Sequence, residues 1–228
     1  MYRLFIANKN YSSWSLRPWV LMRALDIAFE EVMNPFRQGS NFENFRRFSP
    51  NGRVPCLHDG STVVWDSLAI VEYLAERHDG VWPADTLARA WARCAACDMH
   101  SGFVALRNAC SMSCGQRVEL ASVDAPLQAD VERLDELWSE GLDRFEGPWL
   151  AGKGFTAADA FYAPVAFRLQ TYGLQLSEPA RAYAERLLSH PAMLEWYEAA
   201  LAEPWRDEGH EQEVAAAGTV LADARARP

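Results

Sequence analysis

The stretch VPCLHDGSTVVWDS, residues 54–67, decides the fold. Two short β-prone runs, Val54 to His58 and Ser61 to Trp65, flank Asp59-Gly60, a pair that supplies the positive backbone angles a tight hairpin needs. A proline stands at the entrance to the first run, where a missing N–H harms a strand least. Past the hairpin, Leu68, Val71 and Leu74 share one face of a helix predicted over Ser67 to Arg77. Upstream, Tyr2 to Ala7 reads as a buried strand and Phe29 to Met33 as a second. Between them Ser15 to Ala28 reads as a helix with Leu16, Val20, Leu21, Ala24 and Leu25 on one side. A βαβ unit of this kind requires a parallel pair and a right-handed crossover. A polar loop, Phe36 to Gly52, holds one helical turn near Phe42 to Phe48. Residues 1–79 therefore form a small β-α-β-α-β-β-α domain.

After His78 the text changes. Asp79 to Asp85, with Gly80 and Pro83, reads as a linker, and beyond it only helical periodicity is evident. Helices are predicted over Leu87 to about Ala109, Pro126 to Phe145, Ala157 to Tyr172, Pro179 to Leu188 and Pro191 to Leu201, broken at Gly115, Gly147-Pro148 and Gly173. Residues 87–228 are thus expected to be all-helical, with a loosely packed tail from about Arg206. Half of the 228 residues are hydrophobic, enough for a sizeable core. A formal net charge of -9, with arginines scattered, argues against a nucleic-acid surface. No apolar run approaches the roughly 20 residues of a membrane span, and Met1 to Phe5 lacks a signal-peptide pattern. The expectation is a cytoplasmic protein that engages neither membrane nor nucleic acid.

Five cysteines, an odd number in a chain too long to need staples, fit reduced thiols. Cys94 and Cys97, with Cys110 and Cys114, have spacings that could offer zinc two thiol pairs. The alanines around them (Ala92, Ala95, Ala96, Ala105, Ala109) favour close helix packing instead, with cysteine as a small hydrophobe and no metal site.

A βαβ-ββα order with a proline entering the third strand is thioredoxin-like. In that fold the segment between first strand and first helix is where a redox Cys-x-x-Cys sits, and here Ser12-x-x-Ser15 fills the spacing. Hydroxyls cannot form a disulfide, so thiol exchange is lost at this position. A hydroxyl can still donate to a thiolate, beside a helix N-terminus that favours anions. From Tyr2 to about Leu201 the chain resembles the cytosolic glutathione transferases, and Tyr11-Ser12-Ser13-Trp14-Ser15-Leu16-Arg17-Pro18 is similar to the serine-rich signature of the zeta class and its bacterial relatives. The architecture implied is a thioredoxin-like α/β domain that binds glutathione, followed by an all-α domain that holds an electrophile. The resemblance also implies a symmetric homodimer and a role in detoxification.

What the resemblance implies for individual residues is specific. Ser12 or Ser13 ionises the glutathione thiol, and the two are not separable from sequence, while Ser15 is expected to cap the helix. The Val54-Pro55 bond is expected to be cis, leaving the Val54 backbone free to pair with the cysteinyl part of the tripeptide. Asp66 takes the γ-glutamyl ammonium and Ser67, at a helix N-terminus, its carboxylate. Arg53 and Gln38 are offered for the glycyl carboxylate. Thr156 to Asp159 is a capping box assigned to stability, and His100 is expected to be a structural or surface histidine.

For the second substrate the expected residues are Trp14, Arg107 and Arg168. Arg168 lies near where the zeta-class isomerases hold an arginine for a dicarboxylate, though about one turn, roughly 5 Å, earlier. Trp14 stands where the zeta signature has cysteine. The expected activity is transfer of glutathione to a small hydrophobic electrophile. The alternatives are a glutathione-dependent cis-trans isomerase acting on a maleylacetoacetate-like substrate, and a non-catalytic binding module.

Overall fold

The computed structural model describes residues 1–226. Its first unit is a four-stranded sheet of β1 (Tyr2–Ile6), β2 (Phe29–Met33), β3 (Cys56–Asp59) and β4 (Thr62–Trp65) in the order β2-β1-β3-β4. Strand β1 runs parallel to β2, with Tyr2 opposite Phe29, and antiparallel to β3; β3 and β4 form the expected hairpin about Asp59-Gly60. Three helices complete the unit: α1 (Ser13–Ala24), the short α2 (Phe42–Phe45) and α3 (Ser67–Ala75). Leu4 and Ile6 from β1, Leu16, Trp19 and Val20 from α1, and Ile70, Val71 and Leu74 from α3 are fully buried together.

The second unit contains α4 (Thr86–Ser101), α5 (Val104–Ala109), β5 (Gln116–Leu120), α6 (Ala125–Arg144), α7 (Ala157–Tyr172), α8 (Glu178–Leu188), α9 (Pro191–Ala202), α10 (Glu208–Ala217) and β6 (Gly218–Asp223). Helix α7 is apolar nearly all round and runs through the middle, every residue buried except Gln170, as a helix without a solvent face must be. It packs on α1, α4 and α8, so it links the two units. Asp159 fixes its start: the buried carboxylate accepts the backbone N–H groups of Leu150 and Thr156 and the Tyr183 hydroxyl at 2.9–3.0 Å. That is the structural role expected of the capping box, and burial pushes its pKa up to about 6.

The structure corrects the sequence reading in several places. The helix expected over Leu87 to Ala109 is two helices, because Gly102 ends α4 and Phe103 adopts a left-handed φ of 52°. The helical unit also carries a two-stranded antiparallel sheet, β5 with β6. Its first strand alternates buried and exposed side chains at Gln116, Arg117, Val118 and Glu119, a period of two that is easily lost among longer helical patterns. From Arg206 to Ala226 the segment is not a loose tail; residues 227–228 of the expected tail lie outside the described residues. It folds as α10 and β6 and is pinned by Arg225, 8% exposed, whose guanidinium pairs with Glu211 at 2.9 Å and Asp223 at 2.6 Å and donates to the Tyr11 hydroxyl at 3.0 Å. Charged residues there pair with one another rather than with water, so composition alone misreads them.

Cys94 and Cys97 are exposed on α4 whereas Cys110 and Cys114 are buried. Among the described residues no three His, Cys, Asp or Glu side chains converge as a metal site would need, and no helix is long and apolar enough to cross a membrane.

Candidate active site

Two adjoining cavities open where the first unit meets the second. The larger, about 400 Å³, is walled by Tyr11, Ser12, Ser13, Asn41, Met112, Arg168 and His210 among others; the smaller, about 350 Å³, by Asn51, Pro55, Asp66, Ser67 and His100. Trp14, Arg53, Val54 and Arg107 border both, so the pair reads as one elongated trough.

The serine loop sits at the head of α1. The helix begins at Ser13, with Ser12 as the flanking residue, two positions earlier than the Ser15 start expected. Ser15 therefore does not cap. Its fully buried Oγ accepts the Ala7 backbone N–H at 3.3 Å and the Ser12 hydroxyl at 2.7 Å. That bond commits the Ser12 proton inward. Ser13 is in a different position: its hydroxyl has no protein partner and borders the larger cavity, beside the orphan N–H groups of the first turn.

The Val54-Pro55 bond is cis, and Val54 borders both cavities. Asp66 caps α3 at a φ of 75°, its Oδ1 accepting the Leu68 N–H at 2.8 Å and its Oδ2 lying 3.5 Å from His100 Nε2. Next to it the Ser67 hydroxyl is buried with no protein partner. A buried hydroxyl left unpaired costs about 1–3 kcal/mol, so this one is placed for something that arrives. His100 is not simply structural: it walls the smaller cavity, edge-on to Trp14, and burial holds its pKa below the usual histidine value despite Asp66.

Trp14 lies between two cations. The Arg17 guanidinium stacks 4.0 Å from its ring centre and that of Arg107 4.7 Å. Arg17, 1% exposed, has Nε and Nη1 unpartnered, and burial together with Arg168 and Arg107 drives its pKa well below the usual arginine value. Arg168 donates Nε to the Cys110 carbonyl at 2.8 Å and Nη1 to the Pro164 carbonyl at 3.3 Å; burial and Arg107 lower its pKa to about 10. Arg107 and Arg168 thus wall the larger cavity, with the buried Arg17 close by, in a chain whose formal net charge is -9.

The site residues expected from sequence come together with one exception. Ser12, Ser13, Trp14, Arg53, Val54, Arg107 and Arg168 meet at the larger cavity, and Asp66 and Ser67 at the smaller. Gln38 does not join them. The loop turns outward at Gly39, φ 82°, and Asn41 accepts the Arg37 N–H at 2.9 Å, so Asn41 reaches the wall while Gln38 lines an outer groove. Tyr11, Phe36, Asn41 and His210 are additional wall residues. His210 could have been found from Asp207 three residues before it, the spacing of a helix cap.

Comparison with known proteins agrees with this architecture. Residues 11–77 match the pattern described as "Glutathione S-transferase, N-terminal domain" and residues 117–199 "Glutathione S-transferase, C-terminal domain", together well over half of the chain. The two-unit fold with its trough at the junction defines the class, an α/β thioredoxin-like domain joined to a helical one. The chain belongs to the glutathione S-transferase family, enzymes whose cosubstrate is glutathione. It is 27% identical over 168 residues to a probable maleylacetoacetate isomerase of Caenorhabditis elegans, covering 72% of this chain and 77% of that one. Glutathione S-transferase GstB of Escherichia coli K12 is 25% identical over 178 residues, 73% and 83% of the two chains. A dichloromethane dehalogenase of Methylorubrum extorquens is 39% identical over 61 residues, 26% of this chain and 21% of that protein. Among solved structures, a glutathione transferase homolog from Burkholderia GL BGR1 with bound glutathione superposes at a TM-score of 0.65, with 22% identity over 87% of this chain and 97% of that one. A theta-class enzyme from Xanthomonas axonopodis pv. citri gives 0.63, with 22% identity over 89% and 98%.

Proposed function

We propose that the chain binds reduced glutathione along the trough, ionises its thiol at Ser13 and directs the thiolate at an electrophile held among Trp14, Arg107, Met112 and Arg168. The γ-glutamyl end lies at Asp66 and the unpaired Ser67 hydroxyl, the cysteinyl backbone along Val54, and the glycyl carboxylate toward Arg53. One observation carries the choice of serine: the Ser12 proton is already donated to Ser15, whereas the Ser13 hydroxyl faces the cavity free. Lowering a thiol pKa by about two units takes roughly 2.7 kcal/mol, and one charge-assisted hydrogen bond contributes about 1.5–3 kcal/mol. Ser13 and the helix N-terminus together reach that figure without a metal in the scheme.

The test is a pH titration of thiolate absorbance for glutathione bound to wild type, Ser12→Ala and Ser13→Ala. The proposal expects a bound thiol ionised below neutral pH in wild type and in Ser12→Ala, and an unshifted thiol in Ser13→Ala. Loss of the shift in Ser12→Ala alone would move the role to Ser12, and no shift in wild type would remove the chemistry altogether.

A second reading is cis-trans isomerisation of an unsaturated carboxylate. The cluster of Arg107 and Arg168 on the wall with Arg17 close by favours it, and so does the name of the C. elegans relative. The proposed assembly is a homodimer that uses the apolar groove of Val63, Val64, Trp65, Leu68 and Ala69, where Trp65 is 44% exposed. Five free thiols suit the cytoplasm, where glutathione keeps them reduced, and the proposed role is detoxification of electrophiles that fit against Trp14, Phe36 and Met112.

A further inference from the structure

His210 enters the larger cavity from α10, outside the region that resembles the family. Its Nδ1 is 2.6 Å from Asp207 Oδ2, and the same carboxylate oxygen accepts the His210 backbone N–H at 3.2 Å. The ring is held on both faces: Tyr11 stacks on one at 5.0 Å between centroids and Phe36 on the other at 5.1 Å, at interplanar angles of 21° and 25°. Two stacked aromatics hold the imidazole in place, and a carboxylate 2.6 Å from Nδ1 favours the tautomer with its hydrogen there. Nε2 is left over. It has no protein partner and is not among the sealed polar atoms, and the residue stands between the larger cavity and the outer groove that Gln38 lines.

The charged and titratable groups around this ring are few. Asp207 belongs to its own turn, and Tyr11, from the serine loop, donates its hydroxyl to Glu211, which is paired with Arg225. Arg168 stands on the cavity wall from α7. A carboxylate that orients a histidine on the border of a reaction cavity, its other nitrogen without a protein partner, is the arrangement of a proton carrier.

We propose that His210 is a further catalytic residue, the proton donor to the leaving oxygen when the electrophile is an epoxide or another substrate whose broken bond is carbon to oxygen. The proposal rests on the transferase reading above. The thiolate sulfur bonds to a ring carbon, the carbon–oxygen bond breaks, and its electron pair goes to oxygen, which takes the proton from Nε2. The imidazole is left neutral with Nδ1–H on Asp207 and is reprotonated from solvent, which also takes the proton that the glutathione thiol releases with either substrate. An aryl chloride leaves as chloride and needs no such proton.

The experiment uses the full chain with glutathione and two probes, a nitrophenyl glycidyl ether and chlorodinitrobenzene, for wild type, His210→Gln and Asp207→Asn. Removing a general acid costs about 10²–10⁴-fold. In His210→Gln, kcat for the glycidyl ether should fall about 100-fold or more, at least about ten-fold further than kcat for chlorodinitrobenzene; Asp207→Asn should show the same split, smaller in size. A circular dichroism spectrum and melting curve like those of wild type show that each variant is folded. An equal fall for both probes, no fall for the ether, or a wild type that conjugates the chloride but leaves the ether closed overturns the proposal. A wild type that conjugates neither overturns the transferase reading and the proposal with it.

Discussion

Glu203 Oε1 accepts the backbone N–H of Lys9 at 2.6 Å, and Oε2 that of Asn10 at 3.3 Å, tying the end of α9 to the turn that leads into the serine loop. Burial raises the Glu203 pKa to about 7, against the lowering pull of these two N–H groups and the Lys9 ammonium. The folded chain therefore keeps this proton to a higher pH than the unfolded chain does. The stability it contributes is full below about pH 4.5 and is lost as pH rises through about 7, a change on the order of 2–3 kcal/mol. Asp159, raised to about 6, acts in the same direction. Urea unfolding followed across that window should show wild type weakening as pH rises and Glu203→Gln weakening less.

Arg225 is the pin of the C-terminal segment. Arg225→Ala leaves Glu211 and Asp223, each partly exposed, without their shared cation, at a cost of about 1–2 kcal/mol. Amide exchange should quicken across α10 and β6 while the four-stranded sheet keeps its protection. Arg225→Lys should restore only part, since a single ammonium cannot fork between two carboxylates.

Arg168 separates the two functional readings. Its guanidinium spans the Cys110 and Pro164 carbonyls, which a lysine cannot reproduce. Arg168→Lys should lower kcat/KM for isomerisation of an unsaturated dicarboxylate at least about ten-fold further than kcat/KM for chlorodinitrobenzene, with glutathione affinity near wild type. Equal loss with both substrates would assign Arg168 to packing instead.

Trp14→Ala would strip both guanidinium stacks, each worth about 0.5–2 kcal/mol, and leave the buried Arg17 charge with less support. Chemical denaturation should show a loss of about 2–4 kcal/mol, and Trp14→Phe should recover most of it.

Much of the first unit was legible because its signals are local. Asp59-Gly60 fixes a hairpin, the period of Leu68, Val71 and Leu74 fixes a helix, and the order of elements then leaves few topologies. The roles of the serines, Val54, Asp66 and Ser67 came with the resemblance to the glutathione transferases, which their places at the ends of those elements carry. The rest depends on contacts between distant parts. Nothing near Ser15 reveals that its hydroxyl is taken by Ser12 and Ala7, and nothing near Gln38 reveals the outward turn at Gly39. Arg225 was hidden for the same reason: Tyr11, which it touches, lies 214 residues away in sequence.

The hydrogen bond between Arg225 and Tyr11 joins residues 214 positions apart. Synthesis runs from one end, so the serine loop and the sheet emerge early, yet the cavity has no His210 wall until α10 has left the ribosome and Arg225 has followed to hold it. A chain cut short between them by a late frameshift or a protease would keep every residue of the thiol site and lose the clamp that closes it. Whatever such a chain still bound, it would hold in a trough open on one side to water.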